Sequence, residues 1–444
     1  MRHFFAFFLC FLLQSVPIEA KRVFYDKEGV DMSQFFIWKN SRYVIQYHHT
    51  INSKIVIPEG CEIMFKGGGL SGNIEFLNTK LSGDVNLKGS SIKGSVINKQ
   101  LDASWFCAMD GETDDAAIIN EMIEVCGSIF FPKGRYRLES SYNPEGKVPV
   151  GYGSSIKAHI GIRRNGTHLV GEPGTVFVTQ QPLGTICIFS QPNQIKNSVS
   201  NIVIKNIEFE VHNDGENFHE FMHTIKTIGV NGLLIEGCFF NDFWGDAICL
   251  SHYGDTPATG ERTRNANVKI SNNSIVGGEH HNNRNGISIV NGKNILIKRN
   301  VIKETTRKDM PGGIDVEPNN SSYTIDNIQI IGNEIEGCEG TAGGICINAN
   351  GKNGPAHHII IKDNTIKRCR AGLSFVVKSV AASNDYVIIG NYIDAETIPY
   401  QFIGDGQSRN WTFKRNVFER PCKQEIPGNI TVSNLVLKNN KKKD

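Results

Sequence analysis

Two carboxyl groups sit two residues apart in the phrase GGIDVEPN, at Asp315 and Glu317. Strand residues i and i+2 lie on one side, about 7 Å apart. Like charges that close push their pKa values apart, so one group can give a proton while the other stays ionised. The same pair could hold a hard cation such as Ca2+. Asp246 in WGDAI adds a third acid, and HHNNRNG adds a base, His281, and a fixed cation, Arg284. Asp246, His281, Arg284, Asp315 and Glu317 are therefore the catalytic candidates. His223, Trp244, His252, Tyr253, His280, Lys308 and Asp309 are the candidates for binding a substrate, with Trp244 and Tyr253 as stacking platforms. Each has a plain structural alternative. Asp315 and Glu317 could be solvated charges on an exposed strand, Asp246 a turn residue, the histidines surface loops, and Arg284 a stem covering a strand edge.

A repeated phrase must position these residues. Apolar, any, apolar, one or two polar residues, then Asn and another apolar residue recurs as IVIKNIEF, VKISNNSI, ILIKRNVI, IQIIGNEI, IIIKDNTI, YVIIGNYI and WTFKRNVF. The Asn falls at Asn206, Asn273, Asn300, Asn333, Asn364, Asn391 and Asn416, and Cys238 takes the place of an Asn in GLLIEGCFF. A recurring phrase of this kind marks a solenoid, one coil per repeat. Its period of two and its β-branched residues mark strands. Ile295, Ile297, Ile328, Ile330, Ile359 and Ile361 should share one interior, and the Asn side chains should stack into an amide ladder. Short strands joined by Gly and Asn turns give a parallel β-helix.

A second strand per coil aligns at Ile225, Ile248, Ile287, Ile314, Ile345 and Leu373, with gaps of 23, 39, 27, 31 and 28 residues. The longest gap holds the polar stretch HYGDTPATGERTR, residues 252–264, which should leave the coil as a loop. In this register the outward positions form two columns. One is Lys226, Cys249, Ser288, Asp315, Cys346 and Ser374; the other is Ile228, Ser251, Val290, Glu317, Asn348 and Val376. Both acids of the pair should thus face outward as exposed groove residues, with His223, Asp246 and Asn285 just before them.

Lys and Arg together number 47 against 45 Asp and Glu, so the chain carries no electrostatic footprint for nucleic acid. MRHFFAFFLCFLLQSVPIEA, residues 1–20, has a short basic start, an apolar run and an I-E-A site, and reads as a secretory signal with export to the periplasm or beyond. The mature chain has no candidate membrane span. No CxxC or Cys/His metal spacing occurs, and Cys338 and Cys369 should stack on adjacent coils as packed thiols. The terminal KNNKKKD is read as a solvated end.

Residues 105–138, WFCAMDGETDDAAIINEMIEVCGSIFFPKGRYRL, resemble the opening of the pectate lyase superfamily, in its rhamnogalacturonase and epimerase-like branch. Asp110, Gly111, Thr113, Asp114, Asp115, Pro132, Gly134 and Tyr136 carry the resemblance, and Cys107 replaces the usual Gly. The DGETDD acids themselves read as helix caps, Thr113 or Asp114 preceding a run with Ile118, Ile119, Met122 and Ile123 on one face. The resemblance implies an all-β, right-handed parallel β-helix over residues 101–444 with a capping helix near 114–125, preceded by a β-rich cap or first coils over 21–100. It also implies a polysaccharide or oligosaccharide partner, without fixing the reaction or the oligomeric state. The His and Arg residues around the acids favour a uronic-acid polysaccharide lyase acting by β-elimination. The alternative is a glycoside hydrolase using paired carboxylates. A further one is a non-catalytic glycan-binding protein. The sequence assigns no cofactor, and Ca2+ on Asp315 and Glu317 is the one the acids could recruit.

Overall fold

A computed structural model describes residues 21–142, 158–190, 199–251, 264–278, 280, 282–319, 323, 325–349, 354–377, 383–419 and 430–442. His252, Tyr253 and His281, and the segment read as a signal, lie outside these residues. Among the described residues no helix is long and apolar enough to cross a membrane.

The repeats wind into a right-handed parallel β-helix with three sheet faces. The first face runs from Leu101–Asp102 to Thr431–Lys438, the second from Asp110–Asp114 to Lys441–Lys442, and the third from Ala158–Ile162 to Ile398–Gly404. The period-2 pattern explains the first face directly. Ile295, Ile297, Ile328, Ile330, Ile359 and Ile361 are all buried, and Ile295 pairs with Ile328 and Ile328 with Ile359 at the same level. On the second face one interior column changes character along the axis. It reads Phe177, Phe209, Phe240, then Ile275, Ile302, Ile335, Ile366 and Ile393, and closes with Phe418.

The corner between the first two faces holds the amide ladder. The Nδ2 of Asn273 donates to Asn300 Oδ1 at 2.9 Å, and the same bond recurs through Asn333, Asn364, Asn391 and Asn416 to Asn440. Each Oδ1 also accepts a backbone N–H from the preceding coil, as Asn333 does from Asn300 at 2.9 Å. Every polar atom of these buried amides is thereby satisfied, which burial requires. Asn206, expected in the ladder, is not part of it. It is exposed with a φ of 56°, and Ile207 occupies the ladder slot one residue later, followed by Cys238. Asn206 takes the left-handed corner that an Asn tolerates and a β-branched residue does not. A second ladder, on the exterior, links Asn231, Asn267, Asn294 and Asn327 at 2.7, 3.1 and 2.9 Å.

The DGETDD acids stitch loops. Asp114 Oδ1 accepts the Ala116 N–H at 3.0 Å at the start of the helix Ala116–Val125, and Asp110 accepts the N–H groups of Glu112 and Thr113. The helix buries Ile119, Met122 and Ile123, and its Glu121 accepts the Ile92 N–H at 2.8 Å. Ile92 belongs to a separate six-stranded sheet built from residues 23–96, so the helix joins that sheet to the solenoid rather than closing a free end. Cys338 and Cys369 are buried and unbonded, as packed thiols.

Candidate active site

The third face carries the acids in the register that the sequence dictates. Lys226 pairs with Cys249, Cys249 with Ser288, Ser288 with Asp315, Asp315 with Cys346 and Cys346 with Ser374. Gly313 sits against the interior, where an added Cβ would lie 2.9 Å from Ile335 Cγ2, so the strand Gly312–Val316 lies close on the core. Ile314 and Val316 fill that core and Asp315 points away from it. Its exposure, however, is not that of a groove residue. Asp315 is 1% exposed, and the expectation of a solvated acid fails there because side chains from the adjacent turns cover it. Asn285 Nδ2 reaches Asp315 Oδ2 at 3.4 Å and Ser288 Oγ at 3.0 Å. Glu317, two residues on, is 19% exposed at its side chain and accepts Asn348 Nδ2 at 2.7 Å.

Arg284 is the hub. Its Nη1 lies 3.5 Å from Asp246 Oδ2, its Nη2 3.5 Å from Glu317 Oε2 and its Nε 3.8 Å from Glu220 Oε1. Nε and Nη2 form one edge of the guanidinium fork, so Glu220 and Glu317 converge on the same edge while Asp246 sits behind. Burial would strip the Arg284 charge, but Asp246, then Asp315, more than offset it and raise its pKa. Burial likewise opposes a charged Asp246. Arg284 above all, with the Asn285 N–H at 2.9 Å, nevertheless holds that carboxyl at about 2. Asp315 moves the other way: burial first, then the charge of Glu317, push it well above the usual carboxylate range. Glu317 is also raised, by burial against the opposing pull of Arg284. One site thus holds a carboxylate fixed as an anion and two carboxyls that resist ionisation.

His223 Nδ1 is 3.0 Å from the Asp246 N–H and 3.1 Å from Asp246 Oδ2. One nitrogen cannot accept from the first and donate to the second. The backbone N–H is fixed in direction, and burial lowers the His223 pKa, so Nδ1 accepts and the neutral ring carries its proton on Nε2. Among the described residues, Trp244 Nε1 and Thr224 Oγ1 beside this site are buried without a hydrogen-bond partner, whereas buried polar groups are ordinarily paired by protein or water.

The other expected residues divide. Trp244 is 3% exposed and packs edge-on to His219 at 4.9 Å, so it is a wall of the site and not an open platform. The exposed aromatic is Phe221, 67% exposed and next to Glu220. His280 sits against Gly215 and beside Asp242, away from the hub. Lys308 is paired loosely with Glu339 at 3.8 Å and lines a separate cavity of about 580 Å3, and Asp309 is held by Arg307 Nε at 2.6 Å. Neither reaches the acids, because both lie on the turn after the second face. Glu220 and Phe221 escaped the sequence reading because their loop lies outside the two aligned strands and has no periodic register.

A calcium ion takes roughly six to eight oxygen ligands. The neighbour of Glu317 is instead a guanidinium, which already supplies the positive charge, so Asp315 and Glu317 do not fit that ion. His223, Asp246 and Cys249 bring donor atoms within 4.8 Å of one another. They do not fit a metal either: Asp246 is engaged by Asn285 and Arg284, and burial holds the Cys249 thiol protonated.

No family model and no curated protein matches the chain. Solved structures do. PfbA, a surface adhesin of Streptococcus pneumoniae, is 14% identical over 77% of this chain and 84% of its own, with a TM-score of 0.42. The A-module of the mannuronan C-5 epimerase AlgE6 from Azotobacter vinelandii is 14% identical over 76% and 98%, at 0.40. Endopolygalacturonase I from Stereum purpureum is 13% identical over 95% and 99%, at 0.32. These neighbours are pectate-lyase-like parallel β-helix proteins. The likeness concerns the fold alone, and their named activities differ.

Proposed function

We propose that the protein is a glycoside hydrolase, acting outside the cytoplasm on a polysaccharide whose cleaved residue is neutral. The observation that supports it is the divided set of carboxyls around Arg284, with Glu317 raised in pKa and partly exposed, and Glu220 on the same guanidinium edge. Environments that push acids in one site apart sort them into proton donor and anion. Glu317 gives its proton to the glycosidic oxygen, and Glu220 acts from the other side as base on water or as nucleophile, their spacing deciding the stereochemistry. Asp246 and Asp315 lie too deep to touch a sugar. Asp246 keeps Arg284 charged and, with burial, helps to hold the Glu317 pKa up. Phe221 offers the apolar face on which a pyranose stacks.

The lyase reading loses ground on the same geometry. β-elimination needs a cation to neutralise the uronate carboxylate and a free base near its C5 proton. Arg284 is already shared by carboxylates, and His223 is buried with Nδ1 engaged. A further anion beside the Asp246 carboxylate would meet repulsion. The test is incubation with neutral and acidic polysaccharides while following new reducing ends and the ultraviolet absorbance of unsaturated uronic ends. Reducing ends without absorbance support hydrolysis, whereas absorbance rising with them returns the assignment to a lyase.

A further inference from the structure

We propose that the N-terminal sheet carries a second glycan-binding site, separate from the acid groove, that takes a neutral sugar residue of the polymer. The choice of ligand rests on the glycan-active reading above; the site itself rests on its own geometry. A cavity of about 420 Å3 opens between the helix Met32–Phe35 and the strand His48–Ile57, lined by Asp31, Ser33, His48, His49, Thr50 and Asn52 among others. Its wall is fixed from beneath. Asp26, buried, accepts the Gln46 N–H at 2.9 Å, the Tyr47 N–H at 3.0 Å and His49 Nε2 at 2.9 Å, which fixes the orientation of the His49 ring. His48 lies over Gly69, where an added Cβ would stand 2.7 Å from its Nδ1. A side chain at that position would have to displace the ring.

Two exposed tyrosines stand beside this wall. Tyr25, 59% exposed, precedes Asp26 in the chain, and Tyr47, 42% exposed, is bonded to it through its N–H. Neither ring helps to fill the core of the sheet, which Phe24, Phe35, Phe36 and Tyr43 form among themselves. A pyranose presents one apolar face and a rim of hydroxyls that both donate and accept. Aromatic faces beside a cavity of hydroxyl, amide and imidazole groups match both, in the usual composition of a small-ligand site. Among the described residues, no Lys or Arg lines the cavity to select an acidic sugar.

The experiment uses full-length Glu317→Gln protein, which holds a polymer uncut, and measures its retardation in native gels containing neutral polysaccharides. Tyr25→Ala with Tyr47→Ala, and separately His48→Ala, should each weaken retardation about tenfold, equivalent to about 1.4 kcal/mol. In chains that keep Glu317, turnover of a short soluble oligosaccharide should be unchanged by the same substitutions. Unchanged retardation, retardation absent in the parent on every polysaccharide, or a parallel loss of oligosaccharide turnover would each overturn the proposal. Failure of the hydrolase reading appears separately, as absent turnover whatever the retardation.

Discussion

Asp246→Asn isolates what holds the hub together. In the folded protein this carboxyl sits at about 2 instead of the ordinary 3.8, a difference worth about 2 kcal/mol of folding stability at neutral pH. The substitution also leaves Arg284 buried with less counter-charge. Breaking a buried pair costs about 3 to 5 kcal/mol, and Glu317 and Glu220 still face the guanidinium, so a loss of about 2 to 4 kcal/mol is expected. The sign of the pH dependence is fixed. A depressed acid stabilises above its unfolded pKa, and that contribution disappears as pH falls through the folded one. Urea unfolding at a series of pH values should therefore give a constant gap between wild type and variant above pH 3.8, closing toward pH 2. Asp246 also helps to raise the Glu317 pKa. Its removal should shift the basic limb of the kcat/KM profile to lower pH. A variant as stable as wild type at neutral pH, with an unmoved limb, would refute the account of Arg284 as a cation held by buried anions.

Glu317→Gln should lower kcat by about 100-fold or more, as loss of a general acid does, with little change in melting, read from reducing-end release and thermal unfolding. Asp315→Asn should hold or increase stability at neutral pH. Its raised pKa means that the folded chain binds a proton the unfolded chain has lost, so stability falls as pH rises above the unfolded value, and the amide removes that slope. Chemical denaturation on both sides of pH 5 checks this, and a destabilised variant at neutral pH would contradict it. Asn333→Ala, which strands buried partners on both sides, should cost about 2 to 4 kcal/mol in urea, while Asn206→Gly at the exposed left-handed corner should change stability by less than about 1 kcal/mol.

The register of the third face was readable residue by residue, because isoleucines at Ile248, Ile287, Ile314 and Ile345 repeat at one level and strand geometry does the rest. Burial was not readable. The column holding Asp315 points away from the core, and nothing in its own strand says that Arg284 and Asn285 fold over it. Adjacent residues in the repeated phrase caused the slip at Asn206: an Asn suits both the ladder slot and the left-handed corner before it, so residue type alone does not separate them. Ile207 in the slot separates them, since its side chain carries no amide. The residues that face Arg284 include Glu220, on the loop that enters the strand Ile225–Ile228, two coils before the strand that Arg284 precedes.

The change from phenylalanine to isoleucine along the second face places a joint in the molecule. N-terminal to it, coils are tied by ring contacts such as the stacked pair Phe209 and Phe240 at 4.9 Å; C-terminal to it, they are tied by a continuous chain of amides beginning at Asn273. Glu220 leaves the coil of Phe209, while Arg284 and Glu317 follow coils that carry Asn273 and Asn300. The two acids are therefore mounted on opposite sides of a change in building material, one on slippery rings and one on a directional hydrogen-bonded rail. In the hydrolase proposed above, the distance between these two acids is the dimension that would set the stereochemistry of cleavage, and it spans that change.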